Sequence, residues 1–103
     1  MSFTREVREG RMPQGVDEQI AYRITTTPWG TSPSSPAVVA KDRSAADSDV
    51  SATVLSGSPS VAGDVVTTPL VRSLTEGHLY RIEVRFTCSG NVFEAWFEVM
   101  GEA

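Results

Sequence analysis

Few residues of this chain combine type and spacing in a way that could do chemistry. The single histidine, His78, has no second histidine and no neighbouring cysteine to complete a metal site, and is expected to be a solvated turn residue. The single cysteine, Cys88, cannot form an internal disulfide. It falls on the inward side of an alternating strand and is read as a small buried hydrophobe, not a reactive thiol. The serines are many, but none stands in a G-x-S-x-G elbow and no base is placed to activate one. Asp47-Ser48-Asp49 has the D-x-D form of calcium loops but lacks the glycine and the bidentate glutamate at loop spacing, so a helix-capping or loop-solvating role is expected. Glu94 and Glu98 share one strand face about 13 Å apart, too far for a retaining glycosidase pair. No P-loop or dinucleotide fingerprint occurs. No catalytic residue, metal ligand or cofactor is therefore assigned, and the chain is expected not to be an enzyme.

The element that positions most of these residues is the stretch Leu74 to Val99. From Tyr80 the apolar residues fall on every second position: Tyr80, Ile82, Val84, Phe86 and Cys88. After Ser89-Gly90-Asn91 they do so again at Phe93, Ala95, Phe97 and Val99. Period two on both sides of a Gly/Asn turn predicts a β-hairpin with one buried face. The other face presents Arg81, Glu83, Arg85, Thr87, Glu94, Trp96 and Glu98. If Ser89-Gly90 is the loop, Arg85 lies opposite Glu94 and Arg81 opposite Glu98. If Gly90-Asn91 is the loop, Glu83 lies opposite Glu98, and two carboxylates face each other. The first register is favoured on charge, although Gly-Asn suits a two-residue turn slightly better. An outward Trp flanked by both signs of charge is either a contact patch or a cross-strand brace.

The approach to the hairpin is L-x-x-G-x-x-Y at Leu74, Gly77 and Tyr80. It resembles the tyrosine corner of immunoglobulin-like and fibronectin type III sandwiches, where a Tyr hydroxyl turns back to the preceding backbone. The resemblance implies that Gly77 permits the turn, Leu74 plugs the core and Tyr80 pins the crossover.

The rest of the chain supplies further strands. Residues 1–15 form an arm with Phe3 and Val7 set among Arg5, Glu6, Arg8, Glu9 and Arg11. It is either an edge strand or flexible, and Met12-Pro13-Gln14-Gly15 is expected to end any regular element. Residues 17–27 read as a strand through Ile20, Tyr22 and Ile24, ended by Pro28-Trp29-Gly30. Trp29 is read as packing at the core or its rim, with an exposed contact surface as the alternative. Residues 30–36 are a proline-rich polar loop. A strand over 36–42 follows, then a loop with room for one helical turn, a strand over 50–55, and a segment over 65–71 that bends at Pro69. No window shows a helical apolar stripe. The expectation is an all-β, immunoglobulin-like or fibronectin type III-like β-sandwich of six or seven antiparallel strands, with residues 16–103 as one domain behind the arm.

At 103 residues the chain has room for one modest core. The net charge is −4 and the nine basic residues are scattered, which argues against nucleic acid as a partner. No apolar stretch is long enough for a membrane span or a signal peptide, so cytoplasmic synthesis and no membrane partner are expected.

Taken together, Tyr22-Arg23-Ile24-Thr25 before Pro28-Trp29, Leu55-Ser56-Gly57, Gly77-His78-Leu79-Tyr80, and Gly90-Asn91-Val92-Phe93 through Phe97-Glu98-Val99 resemble small proteins of tailed-phage structural gene clusters. The resemblance covers roughly residues 17–100. It implies an immunoglobulin-like virion component of tail, fibre–tail adaptor or decoration type, resident in the virion once assembled. Its partners would be other virion or assembly proteins and, in the assembled state, copies of itself. The contact residues expected on this basis are Phe3, Val7, Trp29, Arg81, Arg85, Glu94, Trp96 and Glu98. The alternative is a fibronectin-like or carbohydrate-binding module with a protein or glycan partner.

Overall fold

The computed structural model describes residues 4–27 and 29–103, with side chains from Met12 onward. Phe3 and Pro28 lie outside the described residues, as does the side chain of Val7. Among the described residues the chain is all-β, with one mixed and two antiparallel sheets, apart from one short helix and one 3₁₀ turn.

The hairpin sits at the centre of the large sheet. β1 is Thr4–Gly15, β2 Arg23–Thr25, β3 Ser34–Asp42, β4 Ser48–Asp49, β5 Leu55–Ser56, β6 Ser60–Ala62, β7 Val65–Thr67, β8 Leu70–Val71, β9 Leu79–Cys88 and β10 Asn91–Glu102. β9 and β10 pair with Asn91 opposite Cys88, Arg85 opposite Glu94 and Arg81 opposite Glu98. The loop is therefore Ser89-Gly90. Both residues have positive φ, 49° and 81°, as a type I′ turn requires. The charge argument for this register outweighs the turn preference of Gly-Asn.

A five-stranded sheet runs in the order β1-β10-β9-β3-β4. Its inner face buries Tyr80, Ile82, Val84, Phe86, Cys88, Ala95, Phe97, Val99 and Ala40. These join one cluster with Ile24 of β2, Val66 of β7, Val71 of β8, Val54 and Leu74. The elements across the core are a three-stranded sheet, β2-β7-β6, and a two-stranded one, β5-β8.

Before β9 the chain turns over the end of β10. The Tyr80 hydroxyl, itself buried, accepts from the Thr75 amide at 2.8 Å. Gly77 takes φ 81° and its amide donates to the Gly101 carbonyl at 2.9 Å, while the Gly101 amide donates to the His78 carbonyl at 3.0 Å. A Cβ on Gly101 would lie 2.4 Å from the Thr75 carbonyl oxygen, so β10 must pass the corner with no side chain there.

Several expectations are corrected. Ten strands are described where six or seven were expected, and not all are antiparallel. β1 runs parallel to β10, from Thr4 opposite Glu94 to Gly15 opposite Glu102. Met12-Pro13-Gln14-Gly15 does not end the strand. On a sheet edge a proline costs no ladder bond, and the pairing runs on to Val16, whose amide donates to the Glu102 carbonyl at 2.7 Å. The arm is thus an edge strand over Thr4–Gly15. β3 includes Pro36 and is an interior strand. The register shift between Ser34 and Ala37, with Ser35 at φ 51°, takes the proline out of the ladder.

The strand expected over 50–55 is instead a helix, α1 (Ser51–Val54), followed by β5. The Asp49 carboxylate accepts from the Ser51 amide at 3.0 Å, and the Ser51 hydroxyl accepts from the Ala40 amide at 2.9 Å. Those side-chain bonds replace the ladder that a strand would have made with β3. The strand expected over 17–27 is regular only at Arg23–Thr25. Opposite Tyr22 the Thr68 hydroxyl accepts the Tyr22 amide at 2.9 Å just before Pro69, and β7 and β8 part there. Ile20 then bridges Val71.

Two substitutions test the corner. Tyr80→Phe removes the acceptor of the Thr75 amide and is expected to cost about 0.5–1.5 kcal/mol in chemical denaturation. Gly101→Ala is expected to cost about 1–3 kcal/mol by forcing the corner off β10. Values within about 0.5 kcal/mol of wild type for both would show that the corner adds little.

Candidate interaction surface

The outward face of β3, β9 and β10 is a lattice of three rows, each set by the strand registers. Lys41, Arg81 and Glu98 form one row, Val39, Glu83 and Trp96 the next, and Ala37, Arg85 and Glu94 the third. Alternation puts these side chains on the side away from the core, since their neighbours along each strand are the buried ones. The lattice therefore follows from sequence alone, once the hairpin register and the β3 register are fixed.

Its electrostatics are nearly self-contained. Lys41 faces Arg81, a like-charge pair that would be unfavourable by itself. Glu83 relieves it: one carboxylate oxygen lies 3.7 Å from Lys41 Nζ and the other 3.0 Å from Arg81 Nε. The second contact is electrostatic only, because that nitrogen makes no hydrogen bond. The Arg81 guanidinium also lies over the Trp96 ring, 4.3 Å from its centroid. Arg85 donates from Nε and Nη2 to one Glu94 oxygen at 3.2 and 2.8 Å.

The relief of this face is shallow. One depression of about 100 Å³ is lined by Ala37, Val39, Glu83, Arg85 and Glu94. Another of about 200 Å³ lies among Lys41, Arg43, Asp47, Arg81 and Glu83. Both are smaller than pockets that enclose small ligands, which run to about 300–1,000 Å³.

The residues expected to form a site divide between places. Arg81, Arg85, Glu94, Trp96 and Glu98 are brought together on this face. Val7 lies in β1, the next strand beyond β10. Trp29 is elsewhere. Its ring stacks on Phe86 at 5.8 Å between centroids, on the core side of the sheet. Trp29 and Trp96 therefore lie on opposite sides of the sheet. Leu74, Gly77 and Tyr80 form the corner already described.

Three polar features carry no sequence signal. His78 is not merely solvated: its Nδ1 lies 2.8 Å from Asp42 Oδ2, and the Asp42 side chain is only 8% exposed. The other Asp42 oxygen accepts from the Ser44 amide at 3.0 Å, so this residue ties the end of β3 to the corner. Partners 36 positions apart leave no local motif. Gln14 is buried, donating to the carbonyls of Val71 at 2.7 Å and Glu18 at 3.1 Å and accepting from the Tyr22 hydroxyl at 2.7 Å. Asp64 accepts from the Ser32 amide and the Thr27 hydroxyl, both at 3.0 Å, and so holds the loop around Trp29.

Burial pushes the Tyr22 hydroxyl above its ordinary value, with the nearby Glu18 charge adding to it. Burial likewise pushes the Cys88 thiol up, opposite to what a nucleophile needs. The exposed Asp49 carboxyl is held below its ordinary value, first by the Ser51 amide and then by the Ser51 hydroxyl. No protein-family model matches the chain, and no curated protein matches it.

Two measurements test this geometry. Glu83→Gln is expected to destabilise by about 0.5–1 kcal/mol at low salt, and by less in about 1 M salt, because Lys41 and Arg81 then face each other across a screened gap. A salt-independent loss would mean that packing, not charge, sets the effect. A tyrosine whose folded pKa is raised stabilises fully below its unfolded value, about 10, and loses that contribution as pH rises through the folded one. Wild type is therefore expected to lose more stability than Tyr22→Phe between about pH 9 and 11, and parallel pH profiles would contradict the assignment.

Proposed function

We propose that this chain is a non-enzymatic structural or assembly protein of a phage or prophage virion, of tail, tail-adaptor or decoration type. In this reading it is an immunoglobulin-like or fibronectin type III-like β-sandwich that acts through protein–protein contacts. Its partners are other virion or assembly proteins and further copies of itself.

One observation supports the reading above the others. The outward sheet face around Trp96 is broad, shallow and ion-paired, and it continues into a long edge strand. A flat face of this kind meets another macromolecule more readily than it encloses a substrate. The L-x-x-G-x-x-Y corner and the closing hairpin add the resemblance in chain layout. A carbohydrate-binding module would be served by two aromatic rings presented side by side. Trp29 and Trp96 lie on opposite sides of the sheet, which weighs against that alternative.

Light scattering on the purified chain, followed by negative-stain imaging, tests the reading. A ring, tube or other defined oligomer is the expected result. Removal of residues 1–11 and, separately, Trp96→Ala are each expected to weaken self-association or partner binding at least about tenfold, a loss of 1.4 kcal/mol or more. A chain that stays monomeric and binds a glycan would overturn the proposal.

A further inference from the structure

We propose that copies of this chain exchange the first block of β1. Residues 4–6 of each copy lie on β10 of the other, and the reciprocal exchange closes a dimer. The proposal names how copies join and rests on the assembly reading above.

β1 is held to β10 in two blocks. In the first, Thr4 stands opposite Glu94, Arg5 opposite Ala95 and Glu6 opposite Trp96. In the second, the pairing runs from Arg11 opposite Glu98 to Gly15 opposite Glu102. The second block is anchored beyond its ladder. Gln14 is buried and donates to the Val71 and Glu18 carbonyls at 2.7 and 3.1 Å. It accepts from the Tyr22 hydroxyl at 2.7 Å, and the Val16 amide donates to the Glu102 carbonyl at 2.7 Å. These contacts tie the second block to β8 and to the chain before β2. The first block is a short parallel pairing at the end of the sheet, and such a pairing is weak by itself.

Between the blocks the chain holds spare length. From Glu6 to Arg11 β1 advances five positions while β10 advances two, from Trp96 to Glu98. The excess amounts to about 10 Å of extended chain. In the closed form that length must bulge out of the ladder. In the exchanged form it straightens and carries the first block across to the second copy. The block makes the same pairs on either β10, so exchange keeps the contacts of the closed form and changes only the joint. This is the condition under which an element passes between identical chains at low cost.

Two variants of the full chain, followed by sedimentation and by a denaturing gel without reductant, test the proposal. Wild type is expected to sediment as a dimer that dissociates on dilution. Thr4→Cys with Glu94→Cys places a thiol on each side of one register pair, where neighbouring strands lie about 4.8 Å apart and a disulfide can span them. Oxidised as the dimer, this variant is expected to run as a covalent dimer. Oxidised after dilution, it is expected to run as a single chain. Cys88 is buried and gives no background. Deletion of residues 7–9 brings β1 into step with β10, so that Gly10 falls opposite Phe97 and the strand lies along its own sheet without a bulge. The deleted chain is expected to unfold cooperatively but to dimerise at least tenfold more weakly than wild type. A dimer whose oxidised cysteine variant separates into single chains on the gel overturns exchange but leaves the assembly reading standing. So does a deletion variant that dimerises as tightly as wild type. A chain that stays monomeric at every concentration overturns exchange, and one that also binds no other protein overturns both.

Discussion

The hydrogen bond from the Thr75 amide to the Tyr80 hydroxyl fixes more of this structure than any other single contact. It closes the turn through which the chain crosses from β8 to β9. The buried phenol cannot move without breaking this bond. The turn then lies directly on β10, because Gly101 presents only backbone to the Thr75 carbonyl. Once the corner and Gly101 are in contact, the end of β10 is set, and with it the register by which β1 runs alongside to Gly15 and Val16. His78 extends the same constraint sideways. Its ring meets the buried Asp42 carboxylate and so joins the corner to the last residue of β3. All three neighbours in the central part of the large sheet are therefore tied at one end.

From that frame the outward lattice follows with little freedom. Positions across β3, β9 and β10 are imposed by register, so the charged residues must satisfy one another where they stand. Glu83 is the hinge of the arrangement, dividing its two oxygens between Lys41 and Arg81. Arg81 in turn covers Trp96. A face of this kind holds its side chains in place before any partner arrives, so less side-chain entropy remains to be lost on contact. In the proposed reading, the contacts that matter are made at the lattice and at β1.

The hairpin and the corner were legible in the sequence because their signals are local. Alternation from Tyr80 to Cys88 and from Phe93 to Val99 marks both strands, and the charges at Arg85, Glu94, Arg81 and Glu98 distinguish the two possible loops. Most of the candidate face was legible for the same reason. Other features depend on contacts remote in sequence. β1 was open between strand and flexible arm because nothing in residues 1–15 names β10 as its neighbour. Its parallel direction, and the passage of Pro13 through it, follow from an edge position that no local pattern encodes. The α1 turn replaced an apparent strand because the Asp49 and Ser51 side chains took backbone bonds that valines and threonines alone do not foretell. Gln14, Gly101 and Asp42 were missed since each is defined by a partner more than twenty-five positions away.

The proposed reading has this chain work through its β1 edge and the face beside it. Amide hydrogen exchange of the full protein, compared at low and high protein concentration, tests it most directly. Exchange across β1 and the adjoining part of β10 is predicted to slow as concentration rises, while the buried amides of β9 keep their rates. Unchanged exchange in β1, or slowing confined to β4 at the other edge of the same sheet, would contradict the account.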